Sequence, residues 1–137
     1  MGDGELRPEG AGADVGESGG GPNGALRNDI SNEIVGLYKE HFGSGPTRCR
    51  TYIQPELVIV VLGEGYTAAE QTMFEAGKWY EVRSARQMWQ DTMKVRFVET
   101  IERLTGNTVR AFMSASHQNP DLAVEMFVLE PEQTAPS

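Results

Sequence analysis

The chain has 137 residues, 12 basic and 20 acidic side chains, a net charge of −8 and 39% hydrophobic residues. That length fits one domain with a single core, and the acidic balance weighs against a nucleic-acid partner, whose phosphates it repels unless cations gather on one face. The single cysteine, Cys49, excludes an internal disulfide, and no apolar run approaches the ~20 residues of a membrane-spanning helix.

Residues 1–27 read as a disordered, glycine-rich acidic leader. Nine of the 16 glycines lie in its first 26 positions, and five acids there face Arg7 alone. Such a segment buries too little apolar surface to offset its ordering entropy. Its Gly19-Gly20-Gly21 run lacks the Lys-Ser/Thr of a phosphate loop. With neither a basic region nor an apolar signal segment at the start, the expected location is cytoplasmic.

The foldable part is expected over 28–131, followed by a loose tail over 132–137. Asn28 or Ser31 suits the cap of a first helix, whose apolar face is Ile30, Ile34, Leu37, Tyr38 and Phe42. Gly43-Ser44-Gly45-Pro46 stops it with a C-cap glycine and a proline. From Thr47 to Gln54 the chain alternates, with Arg48, Arg50 and Tyr52 on one side and Cys49, Thr51 and Ile53 on the other. After the Gln54-Pro55-Glu56 turn comes Leu57 to Leu62, apolar on both faces, which predicts an interior strand of a hairpin.

Thr67 with Glu70 three residues on forms a capping-box pattern at the start of a second helical stretch. Gly77 is placed to kink or interrupt it. Val82, Ala85, Trp89, Met93, Phe97, Ile101 and Leu104 then recur at helical steps until Gly106 ends the helix as a left-handed cap. About 26 residues at ~1.5 Å each give a rod of ~39 Å, longer than a small domain covers, so part of the stripe is expected to face a second chain. Met88 and Val95 flank that stripe. Thr108 to Ser116 and Leu122 to Leu129 close the chain as another hairpin; in the last strand Val124, Met126 and Val128 alternate with Ala123, Glu125, Phe127 and Leu129. The expected fold is a two-layer α+β sandwich in the order αββαββ. Its four-stranded, mostly antiparallel sheet is covered on one face by a short helix and a long second one.

The turn Gly45-Pro46, the helix start Tyr66-Thr67-Ala68-Ala69-Glu70, Leu104-Thr105-Gly106, and above all the ending from Ser114 to Asp121 and from Val124 to Pro131 resemble the landmarks of the bacterial MpsC-like family. The resemblance covers residues 28–131. It implies a domain accompanying a sodium-linked, membrane-potential-generating and bicarbonate-uptake system, with transport itself left to membrane subunits. It brings no catalytic residue. Ser44 stands where family members often carry a basic residue between the two glycines.

The residue chemistry supports binding rather than turnover. His117 sits in a hairpin loop beside Ser114, Ser116, Asn119 and Asp121, where an imidazole can bind an anion or respond to pH. Arg83 and Arg86 lie three apart on a helix, Lys78 precedes them, and Arg48 and Arg50 share a strand face; together they can grip a carboxylate, phosphate or acidic partner segment. The competing reading is a solvated face paired with Glu75, Glu81 and Asp91. Arg96 is expected to pair with Glu99 or a partner chain. Trp79, Tyr80 and Trp89 read as core or interface residues rather than base-stacking platforms. Two histidines without zinc-type spacing suggest no metal site, and no nucleophile–base pair is visible, so neither an enzyme nor a cofactor is expected.

The expected function is therefore a non-catalytic accessory domain, with membrane transport subunits as partners and a homodimer formed through the long helix. An anion- or small-metabolite-sensing domain built on Arg48, Arg50, Arg83, Arg86, His117 and Asp121 is the alternative. A nucleic-acid-binding module is disfavoured by charge.

Overall fold

A computed structural model of the chain describes residues 23–131, so the leader up to residue 22 and the tail over 132–137 lie outside the described residues. Helix α1 spans Gly24–Phe42, strands β1 and β2 span Arg48–Gln54 and Leu57–Gly63, and three helices follow: α2 (Ala68–Glu75), α3 (Trp79–Thr92) and α4 (Lys94–Thr105). Strands β3 (Val109–His117) and β4 (Leu122–Leu129) complete the order.

The α+β sandwich expected from the sequence is present. All three strand pairings are antiparallel, and the sheet order β1-β2-β4-β3 joins the two hairpins through β2 and β4. The all-apolar β2 is interior, as its composition demands, because an edge position would leave its backbone groups open to a stray strand. Capping also follows the expectations at three ends. Gly43 (φ 84°) and Gly106 (φ 75°) terminate α1 and α4 with backbone bonds to Lys39 and Glu102, and Thr67 and Glu70 form a reciprocal capping box.

Two expectations are corrected. Neither Asn28 nor Ser31 caps α1: the helix begins four residues before Asn28, with Asn23 at the cap position. Leu26, one turn before Ile30, packs against the core and draws that turn into the helix, while Ser31 is buried and its hydroxyl meets that of Thr51 at 2.7 Å. The long second helix is three helices. Gly77 (φ 81°) separates α2 from α3, the interruption expected of it, whereas the unexpected break is at Met93 (ψ 0°), between α3 and α4. Before that second break the Thr92 hydroxyl donates to the Met88 carbonyl at 2.8 Å, a back-bond that bends helices. Trp89, Met93, Phe97 and Ile101, on both sides of the break, are all in the core. The single unbroken helix of ~39 Å that motivated a helix-mediated dimer is therefore interrupted at Met93.

All of this burial lies on one side of the sheet. Cys49, Val58, Val60, Leu62, Phe127 and Leu129 point into a core closed by Ile30, Ile34, Tyr38, Phe97 and Ile101 from the helices. Surface ion pairs tie α4 back to α1, Arg103 to Glu33 at 2.8 Å and Arg96 to Glu40 at 3.2 Å. Arg96 thus reaches Glu40 rather than Glu99. The other side of the sheet carries no helix among the described residues.

Candidate functional site

Strand alternation and register determine what that uncovered face displays. Arg48, Arg50, Tyr52 and Gln54 form its edge column on β1. Across the sheet, Tyr52 stands opposite Ile59, Ile59 opposite Met126, and Met126 opposite Met113, an unbroken row over four strands. Its neighbours read Arg50, Val61, Val124, Ala115 and Gln54, Leu57, Val128, Ala111. Tyr52 and Met113 at the two edges remain 47% and 50% exposed.

At one end of the face a cavity of about 410 Å³ gathers three of the expected site residues, Arg48, Arg50 and Asp121, with Tyr52, Glu64 and Leu122. Glu64 organises this end. Its backbone occupies the left-handed region (φ 60°), and its amide donates to the Asp121 carbonyl at 3.1 Å. Its carboxylate accepts from the Thr47 hydroxyl at 2.6 Å and lies 3.2 Å from Arg48 Nε. The Asp121 carboxylate accepts from the Tyr66 amide at 2.9 Å, so it anchors the chain entering α2; burial raises its pKa above the usual value, outweighing that hydrogen bond and the Arg86 charge.

His117 stands at the other edge of the same end, opposite Leu122. Its Nδ1 lies 2.9 Å from the Pro120 carbonyl, and since a carbonyl only accepts, Nδ1 carries the proton. The imidazole thereby ties the β3–β4 turn and leaves Nε2 available.

The arginines of α3 are not brought to this face. Arg86 is buried on the helical side, donating from Nε and Nη2 to the two Glu70 oxygens at 2.8 and 2.7 Å and from Nη2 to the Gly65 carbonyl at 2.8 Å. Its guanidinium carbon sits 4.2 Å from the Phe42 ring centroid and 5.0 Å from that of Tyr66. Burial would raise the Glu70 carboxyl, but the Arg86 and Thr67 hydrogen bonds outweigh it and hold it below 4.5. Arg86 is thus the clamp that locks α2 to α3. Arg83, one turn earlier, is exposed.

Arg83 shares its helix face with an aromatic corner. Trp79 and Tyr80 open α3 immediately after the Gly77 turn, 48% and 62% exposed, with ring centroids 5.9 Å apart and edge to face. Exposed Met73 lies just across that turn, its carbonyl accepting from the Lys78 amide at 2.8 Å. The sequence placed these aromatics in a core or an interface; among the described residues they are not in the core.

One polar centre escaped sequence reasoning. Glu125 is fully buried on the helix-facing side of β4. The Tyr38 hydroxyl and the Gln90 amide both donate to its Oε2, the latter at 2.8 Å, and Gln90 Nε2 also reaches the Ala115 carbonyl at 3.4 Å. Among the described residues no ion pair reaches Glu125, and its Oε1 accepts no hydrogen bond. Burial therefore pushes its carboxyl from 4.5 up to about 7, against the Tyr38 and Gln90 hydrogen bonds that lower it. The signal was in the alternation of β4, where an acid occupies the inward phase between Ala123 and Phe127. No group of acids, histidines or cysteine suited to a metal ion occurs among the described residues.

A family model described as a Na+-translocating membrane potential-generating system (MpsC) matches residues 23–131. No curated protein and no solved structure matches the chain. Among the described residues no helix is long and apolar enough to cross a membrane.

Proposed function

The chain belongs to the MpsC family, and from that premise we propose that it is a non-catalytic accessory domain of the sodium-translocating, membrane-potential-generating system. Its role is to hold the membrane subunits through a protein–protein contact. Sodium movement and the associated bicarbonate uptake are the work of those subunits. The observation that carries this reading is the corner at the start of α3, where Trp79, Tyr80 and Arg83 stand together and exposed. Trp, Tyr and Arg are the residue types that concentrate binding energy at interfaces, because each combines a large apolar area with a polar handle. Left in water, two large aromatics at one helix start contribute nothing to the core.

The test is capture of membrane subunits from detergent-solubilised native membranes by the immobilised full chain, beside a Trp79→Ala/Tyr80→Ala variant. The wild type is expected to retain sodium-transport subunits and the variant to lose them by about 30-fold or more, the size of a ≥2 kcal/mol hot spot. Equal recovery by both proteins removes the corner from the mechanism, and no recovery by either removes the accessory role.

A second reading, a sensor of anions or small metabolites, is supported by the cavity of about 410 Å³ at Arg48 and Arg50. Since Glu64 and Asp121 share that cavity, it suits a ligand carrying both charges better than a bare anion.

A further inference from the structure

The uncovered face of the sheet is independent of the α3 corner, and we propose that it is where two copies of this chain meet, sheet against sheet. The three central rows hold nothing but apolar side chains on β2, β4 and β3, and no acid. The central columns would lie between two sheets in such a pair, as the inner faces of a β-sandwich do. A patch of this kind marks an interaction site, and its chemistry asks for an apolar partner face rather than a charged one. A second copy supplies one.

The area is sufficient for a modest dimer. Eight residues of strand at ~3.3 Å and four strands at ~4.8 Å give about 26 by 19 Å, or ~500 Å² of flat footprint per copy and ~1,000 Å² for the pair. That is the lower limit for a specific interface, before side-chain relief is added, and it fits micromolar association.

Charge decides the symmetry. Arg48 and Arg50 stand together on the β1 edge, and Arg48 is already beside Glu64 of its own chain. A two-fold axis across the strands would lay β1 on β1 and crowd four arginines onto one edge, which like-charge repulsion disfavours. An axis along the strands lays β1 over β3 of the second copy and β2 over its β4. Tyr52 then covers Met113, a sulfur–aromatic contact, while Ile59 covers Met126, Val61 covers Val124, and the Arg50 stem crosses the small Ala115. Every contact occurs twice, as an isologous interface requires.

The experiment is sedimentation equilibrium of the full chain from ~1 to ~200 μM, a range that brackets the micromolar dissociation constant expected for an interface of this size. The mass is expected to climb from 15.0 kDa toward twice that value. Ile59→Glu in the centre, and separately Met113→Glu at an exposed edge where folding is least at risk, should each hold the chain at the monomer mass. Met88→Glu/Val95→Glu, on exposed positions of the helical layer, should leave the dimer unchanged. Raising salt to ~1 M should not weaken an apolar contact and reduces the repulsion between two acidic chains. A monomer at every concentration overturns the proposal. So does a dimer that survives Met113→Glu but dissociates with the helix variant, or one that dissociates tenfold more readily in salt.

Discussion

Replacing Glu125 by Gln preserves size and the carbonyl acceptor for Tyr38 and Gln90 while removing a fully buried carboxyl group. In the folded wild type that carboxyl titrates near 7, raised by burial from 4.5. Below 4.5 it is protonated folded or unfolded, and its contribution to stability is fully present. As the pH rises through that interval the unfolded chain releases the proton and the folded chain keeps it, so stability falls, by ~1.36 kcal/mol per pH unit or about 3 kcal/mol by pH 7, with no further loss above. The Gln variant has no such loss. Its amide nitrogen takes the place of Oε1, and the unmet hydrogen bond adds an offset of about 1–3 kcal/mol that does not depend on pH. Glu70 and Asp121 titrate in both proteins and cancel in the difference. Urea unfolding of both proteins across this range is therefore expected to show the variant gaining about 3 kcal/mol on the wild type between pH ~4.5 and ~8. A constant difference, or one that moves against the variant as pH rises, would refute the argument that Glu125 is buried without a cation.

Arg86→Ala removes the clamp on Glu70 and Gly65 and leaves a half-buried carboxylate unpaired, so thermal or urea unfolding should show a loss of about 3 kcal/mol or more, whereas Arg83→Ala should change stability by less than about 0.5 kcal/mol. Equal effects at the two positions would contradict the placement of α2 against α3. Cys49 is fully buried with its thiol pushed to about 12, so a thiol reagent at neutral pH should label the native chain at least a hundredfold more slowly than the urea-unfolded one. Rapid labelling of the native chain would show that β1 is not packed under α1.

The site was legible where alternation alone decides. Arg48, Arg50 and Tyr52 were placed on one strand face by period two, and the structure keeps them there, with Asp121 beside the arginines. The helix arginines show the limit of that reasoning. A three-residue step places Arg83 and Arg86 on neighbouring parts of a helix, yet Arg86 points inward because Glu70, sixteen residues earlier and also the capping-box acid, supplies its counter-charge. No local pattern contains that pairing. Glu125 differs again: its inward phase was readable, but Tyr38 and Gln90 come from two other helices, and their arrival decides whether the carboxyl is solvated or raised.

What the sequence determined by itself are the features set within a few residues. Gly43, Gly106 and the Thr67–Glu70 pair end or begin helices because backbone freedom and side-chain capping act over one turn. The apolar run of β2 requires burial on both faces wherever it goes, and so forces an interior strand. Tertiary structure decided the rest. The start of α1 moved back to enclose Leu26, and the single apolar stripe after Gly77 was cut at Met93, with Trp89 before the break and Phe97 after it both in the core and in ring contact. Among the described residues the helices went to one side, leaving a face of Ile59, Val61 and Met126 with no helix over it. Period and propensity act along the chain, whereas the choice of which face to bury is made by the summed contacts of elements distant in sequence.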